Sequence, residues 1–309
     1  MTNTVDEYSR VEKFACKTYL PPLELYYSEY SLALKLSLTV GCIIWLWVTF
    51  VFVRVIRLIK KHTGKDQVMV LMIANTVYLI VVTFSVLALL LPHVAVVCDI
   101  VPFVAFCWCI LVFFRYLKQS VGGDSVIIAL YESKQLDAPQ VCPCFRIILD
   151  RKKQLEAIRI GILQFPIYNS IVASIQLLIF TFDKNLFFEV FYYILPFVIA
   201  SIVCYVVSSI SFIKTVAPLY PDNPIFKRFF LLQLVLLITK PQIIILELIY
   251  NFMTFECTIA GEPKAYFNIL KQMIILVQVG LVTVFSYKFY TAEQTIQKKA
   301  GVQNDGFEA

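Results

Sequence analysis

The chain has 309 residues, 60% of them hydrophobic and 16% charged, with a formal net charge of +6. Soluble domains run roughly 45–50% apolar and about 25% charged, so this composition argues against a soluble enzyme and excludes a disordered chain. Nine cysteines are too sparse for a disulfide scaffold. The positive charge of so apolar a chain raises membrane orientation before nucleic acid.

Residues 1–31 precede the first long apolar run and carry Asp6, Glu7, Glu12, Glu24 and Glu29. A cleaved signal peptide wants a basic start, so the segment reads as a retained extracellular tail. Seven apolar runs then follow, each long enough to cross a bilayer at about 20 residues. They are Leu32–Phe52, Val68–Leu91, Ile100–Leu117, Ile160–Phe182, Phe188–Ile213, Phe229–Asn251 and Tyr266–Tyr290. Lipid offers no partner for free backbone groups, so these runs predict helices, and the alternation of a membrane barrel is absent. The third run is the weakest, with Pro102 near its start. The expected fold is an all-α polytopic membrane protein: a seven-helix domain over 32–290 and a tail at 291–309.

Lys and Arg sort sharply between the connections. Nineteen of the 27 basic residues fall in the first, third and fifth connections and the C-terminal tail or at the span ends that lead into them. Basic residues stay on the cytoplasmic side, which predicts the N-terminus outside and the C-terminus in the cytoplasm. On this topology the net-positive cytoplasmic segments grip anionic inner-leaflet lipid, and no nucleic-acid partner is needed.

The one long connection, 118–158, begins with Gly122-Gly123 and then Asp124, a candidate helix cap. Beyond Pro139 come Cys142-Pro143-Cys144 and apolar residues at helical spacing, accompanied by Arg146, Arg151, Lys152 and Lys153. A basic amphipathic stretch of this kind belongs in the headgroup layer. Cys142 and Cys144 supply too few ligands for structural zinc and suit reversible acylation better. Cys16, Cys98 and Cys257 face the oxidising side and allow one disulfide. Cys16 with Cys257 is one pairing, and Cys98 with either is the rival.

Enzymatic signatures are missing. Gly64-Lys65 lacks the upstream glycine of a phosphate-binding loop, and Asp66 stands where Ser or Thr belongs. No H-E-x-x-H or G-x-S-x-G occurs, and two histidines leave little for metal chemistry. No catalytic residue, metal or cofactor is expected.

Polarity within the spans is the remaining signal. Lys240 is the twelfth of the 23 residues from Phe229 to Asn251, so it falls at mid-depth. A central lysine costs roughly 2.5–3.5 kcal/mol to insert, so it should face protein or water. Pro241 follows and predicts a kink, because its ring crowds the carbonyl of Leu237. Gln233, Lys240 and Glu247 recur every seven residues and share one helix face. With Gln164 and Gln278 from other spans they are the candidate solute path, although each could instead only bind a neighbouring helix. Lys271 lies near a span end and reads as a snorkelling anchor. Ser201, Tyr205, Ser208 and Ser209 read as close helix packing. The many Phe and Tyr read mostly as lipid-facing or interfacial, with a wall for a flat apolar ligand as the other use.

The stretch Cys142-Pro-Cys-Phe-Arg-Ile-Ile-Leu-Asp-Arg-Lys-Lys153, running into Gly161-Ile-Leu-Gln164-Phe165, resembles the alpha subunit of the organic solute transporter family. Gly122-Gly123 after the third span, Pro241 in mid sixth span, and Cys16 and Cys257 also match. The chain departs from the pattern in having two cysteines rather than a long run, and in Lys240, where a neutral residue is usual. The resemblance implies a seven-span, plasma-membrane protein working with a single-pass beta subunit, with higher oligomers in view. It further implies a lipid-modified Cys142 and Cys144, and facilitated movement of amphipathic anions such as steroid conjugates and bile acids. Two other readings are a seven-span receptor and a non-transporting, lipid-handling membrane organiser. Phe114-Arg115-Tyr116 lacks the acid of the usual receptor triplet, and the last span has no Asn-Pro-x-x-Tyr.

Overall fold

The computed structural model describes residues 23–29, 31–62, 65–132, 151–217, 225–252 and 263–305. Among these the fold is all-helical: α1 (Leu23–Glu29), α2 (Ser31–His62), α3 (Lys65–Leu90), α4 (Ala95–Ser120), α5 (Gly123–Glu132), α6 (Arg151–Phe182), α7 (Lys184–Val216), α8 (Ile225–Phe252) and α9 (Pro263–Asp305). A single 3-10 turn, Pro92–Val94, leads into α4.

Six of these helices are long and apolar enough to cross a membrane: Leu32–Lys61, Val68–Leu90, Pro92–Ser120, Leu155–Phe182, Glu189–Lys214 and Ala265–Thr291. The chain is therefore a polytopic membrane protein. Its surface inverts the pattern of a soluble bundle. On α2, Leu36, Val40, Ile43, Trp47 and Phe50 are exposed at spacings of three and four, while Leu34, Ser37, Val48, Val51 and Val55 on the other face are buried. On α9 the exposed stripe is Leu270, Val277, Leu281 and Phe285, and the buried one includes Asn268, Gln272, Thr283 and Ser286. Apolar residues outside and polar residues inside are the arrangement that lipid selects.

Several boundaries move outward from the apolar runs. The third span starts at Ala95 rather than Ile100 and continues through Pro102. Pro166 and Pro196 likewise lie inside α6 and α7. Each proline removes one ladder bond, which packing on neighbouring helices tolerates. At the C-terminal end, α9 runs on to Asp305, well past Tyr290.

The helices fall into two units. The first comprises the described residues of Met1–Leu58, Tyr78–Pro102 and Gln233–Ala292, the second those of Ile59–Val77, Phe103–Leu232 and Glu293–Ala309. In the first, the end of α3 is closed by side chains. Asn268 Nδ2 donates to the Ala88 carbonyl at 3.2 Å, Tyr26 Oη to that of Leu89 at 3.2 Å, and Tyr27 Oη to that of Leu90 at 2.6 Å. Three carbonyls that a helix end leaves without partners are thereby satisfied. Helix α2 approaches α9 closely through small residues: a Cβ on Gly41 would lie 3.3 Å from Leu276 and one on Gly280 would lie 3.3 Å from Ile44.

The second unit is built on rings. Phe113 stacks on Phe229 with centroids 5.5 Å apart, Phe165 stacks on Tyr205 at 4.4 Å, and Phe114 meets Phe212 edge-on at 5.2 Å. Phe113, Phe114, Phe165, Tyr205 and Phe229 are buried and depart from the expected lipid-facing majority, while others such as Phe50, Phe197 and Phe285 are exposed. Each ring removes 150–250 Å² from its surroundings, and offset pairs add about 0.5–1.5 kcal/mol.

Gly122 and Gly123 both take positive φ, at 100° and 85°, and turn the chain from α4 into α5. Asp124 is not the cap. It sits in the first turn of α5, and its carboxylate accepts two bonds of 2.7 Å from Lys118 Nζ, with Arg159 at 3.6 Å. An ion pair has taken the place of the backbone cap because Lys118, in the last turn of α4, lies only six residues away.

Candidate functional site

Among the described residues, the most strongly charged group of buried side chains lies in the first unit, where α4 meets α9. Lys271 Nζ donates to Asp99 Oδ2 at 2.5 Å, and the adjacent Gln272 Nε2 donates to Asp99 Oδ1 at 3.1 Å. The lysine side chain is only 9% exposed and the aspartate side chain 26%. Asn268 shares the helix face, one turn before Gln272. It is 9% exposed, and its Oδ1 is buried without a partner although its Nδ2 is used.

This overturns the snorkelling role of Lys271. Its Cα lies about 9 Å along the helix from Ala265, the first residue of the apolar stretch, at 1.5 Å per residue. The ammonium turns inward because an acid awaits it there. Asp99 escaped notice because it falls one residue before the apolar run at Ile100. In the structure α4 begins four residues earlier and carries it into the bundle. Cys98 beside it is buried and free, and its candidate partners Cys16 and Cys257 lie outside the described residues.

A second, neutral network lies in the other unit between α6 and α7. Ser201 Oγ donates to Gln164 Oε1 at 2.9 Å, Gln164 Nε2 donates to the Ser201 carbonyl at 3.0 Å, and Asn169 Nδ2 donates to Ser201 Oγ at 2.9 Å. A Cβ on Gly161 would fall 2.1 Å from Ser208 Oγ, so this glycine lets the two helices touch. The serines of the fifth span are thus packing residues, as their spacing predicts. Gln164, placed in the solute path by the sequence, is committed to holding α7.

The other path residues separate. Gln233 is buried and engaged by a neighbour. Gln278 keeps a buried, unpartnered Oε1, and Gln242 on α8 a buried, unpartnered Nε2. Helix α8 is continuous across position 241, but the side chains of Lys240, Pro241 and Glu247 lie outside the described residues. Cys16, Cys142, Cys144, Arg146 and Cys257 also lie outside them. Arg151, Lys152 and Lys153 open α6, their side chains likewise undescribed.

Comparison with known proteins adds the family. The chain is 23% identical over 286 residues to a protein of Drosophila melanogaster named organic solute transporter alpha-like protein, covering 90% of this chain and 86% of that one. No solved structure matches it. The family model described as organic solute transporter Ostalpha matches residues 36–295, which reach into every long apolar helix among the described residues, so the chain belongs to the organic solute transporter alpha family.

Proposed function

We propose that this chain is the membrane-embedded subunit of a facilitative carrier that moves amphipathic organic anions, such as steroid conjugates or bile-acid-like solutes, down their gradients. The observation that carries this reading is the family match over 36–295. The lack of any nucleotide-binding motif fits flux without a chemical energy source.

In this reading α8 is the remaining span. Its 28 residues rise about 42 Å, more than the hydrocarbon thickness of about 30 Å. Seven spans with the N-terminus outside follow from the basic-residue bias, and the plasma membrane is the site of action. Lys240, near the middle of α8, supplies positive charge to the sulfate or carboxylate of the solute, with Gln233, Glu247 and Gln278 along its route. A small single-pass beta subunit completes the carrier. Acylated Cys142 and Cys144, together with the Arg146 to Lys153 basic patch, tie the long connection to the inner leaflet. Cys16 pairs with Cys257, which the burial of the free Cys98 favours.

The test is flux of a labelled steroid sulfate into proteoliposomes, with and without a candidate beta subunit. The expected result is saturable, gradient-driven uptake that falls when Lys240→Ala is introduced while the amount of protein is held constant. Lipid flux with no solute flux would instead support the membrane-organiser reading.

A further inference from the structure

We infer that Lys271, Gln272 and Asn268 on α9 form a carboxylate-receiving site whose resident occupant is Asp99, and that a hydroxylated organic anion displaces Asp99 from it during transport. The inference rests on the carrier reading above and names a binding station within it.

Three observations carry it. The first is the donor arrangement. Adjacent residues of one helix each hold a different oxygen of one carboxylate, Lys271 on Oδ2 and Gln272 on Oδ1. A solute carboxylate, sulfonate or sulfate ester presents the same pair of oxygens, so the cradle discriminates by charge and shape rather than by chain. The second is the asymmetry of exposure. The aspartate side chain is 26% exposed against 9% for the lysine, so the occupant has an open side and the receptor does not. Displacement leaves the ammonium neutralised by the solute while Asp99 turns to water, and no charge is stranded in the interior.

The third is Asn268. Its Oδ1 is nine-tenths buried, accepts no bond, and lies one turn from Gln272. A buried acceptor without a donor is costly. An incoming solute with a hydroxyl about 5 Å from its anionic group, one helical turn, would satisfy it. A purely structural ion pair does not explain the open side of Asp99. An apolar pair of similar volume would also hold α4 to α9 at least as well.

The experiment is initial-rate uptake of a radiolabelled steroid sulfate, in ring-hydroxylated and unhydroxylated forms, by the full chain reconstituted with its partner subunit. Lys271→Gln should raise KM about ten-fold or more, the scale of one lost charged hydrogen bond. Asp99→Asn should do the opposite and lower KM, because the competing occupant is gone. Asn268→Leu should erase any preference for the hydroxylated form. The exchange Asp99→Lys with Lys271→Asp should stay impaired, since it moves the receiving charge to α4. If Asp99→Asn fails to assemble, Gln272→Leu decides. It keeps the ion pair, should raise KM roughly ten-fold for one bond to a charged acceptor, and sinks the idea if KM is unchanged. Equal impairment by Asp99→Asn and Lys271→Gln, with recovery in the exchanged pair, overturns the site alone. Absence of steroid sulfate uptake by the wild-type chain overturns the carrier reading and the site together.

Discussion

The charged cluster of Asp99, Lys271 and Gln272 and the neutral network of Gln164, Asn169 and Ser201 solve the same problem differently. Both bury polar groups inside apolar helices. The neutral network joins helices consecutive in sequence, closes its bonds around one serine, and sits beside a glycine that brings the backbones together. The charged cluster joins residues 172 positions apart and keeps one member partly open, while each arrangement leaves one buried asparagine Oδ1 without a partner, Asn268 here and Asn169 in the neutral network. The first arrangement spends its polarity on packing. The second retains ionic groups where packing alone would be served by apolar ones, which marks it as the place where chemistry with a solute is to be sought.

The contrast breaks first at the ion pair. Asp99→Leu alone leaves a buried ammonium without its acid and should destabilise the protein by about 3–5 kcal/mol, whereas Asp99→Leu with Lys271→Leu should recover most of that loss. Thermal unfolding of the detergent-solubilised protein measures both. A double variant no more stable than the single one would mean that the pair is not the feature holding this contact.

Next in size is the glycine contact. Gly161→Val should cost about 1–3 kcal/mol by overpacking against Ser208, and Gly161→Ala with Ser208→Ala should be milder than Gly161→Ala alone. Additive effects would show that α6 and α7 do not meet at these residues. Ser201→Ala removes the hub of the neutral network and should cost about 1 kcal/mol, with transport KM unchanged. A shifted KM would move this network from packing into the solute path.

The smallest effect belongs to the clamp between α4 and α5. Asp124 is 44% exposed, so Asp124→Asn should cost no more than about 1 kcal/mol, and that difference should shrink in high salt. A salt-independent loss would show that Asp124 supports α5 by something other than charge.

The long helices were legible because lipid demands runs of apolar residues, and such runs have few alternative readings. Their ends were less so. Cys98 and Asp99 look like part of an external connection until Pro92 is seen to start a 3-10 turn, with Ala95 opening the helix. The serines of α7 were readable as packing because small residues at helical spacing have that one common use. The pairing of Asp99 with Lys271 was not, since a charge near a span end snorkels by default and nothing local records a partner 172 residues away. The available hint was two opposite charges at the same ends of two spans. Asn268 and Gln272 on one turn of α9 were a weaker second hint. Buried rings such as Phe113 and Phe229 were hidden by abundance, because 26 phenylalanines give no sign of which ones pair.

The central claim, that this chain carries organic anions without an energy source, is tested most directly by counterflow. Proteoliposomes holding the chain, with and without a candidate beta subunit, are loaded with unlabelled steroid sulfate and diluted into a trace of the labelled form. A facilitative carrier predicts transient accumulation of label above its equilibrium level, followed by decay as the internal pool drains. Label entry no greater than in protein-free vesicles would contradict the account.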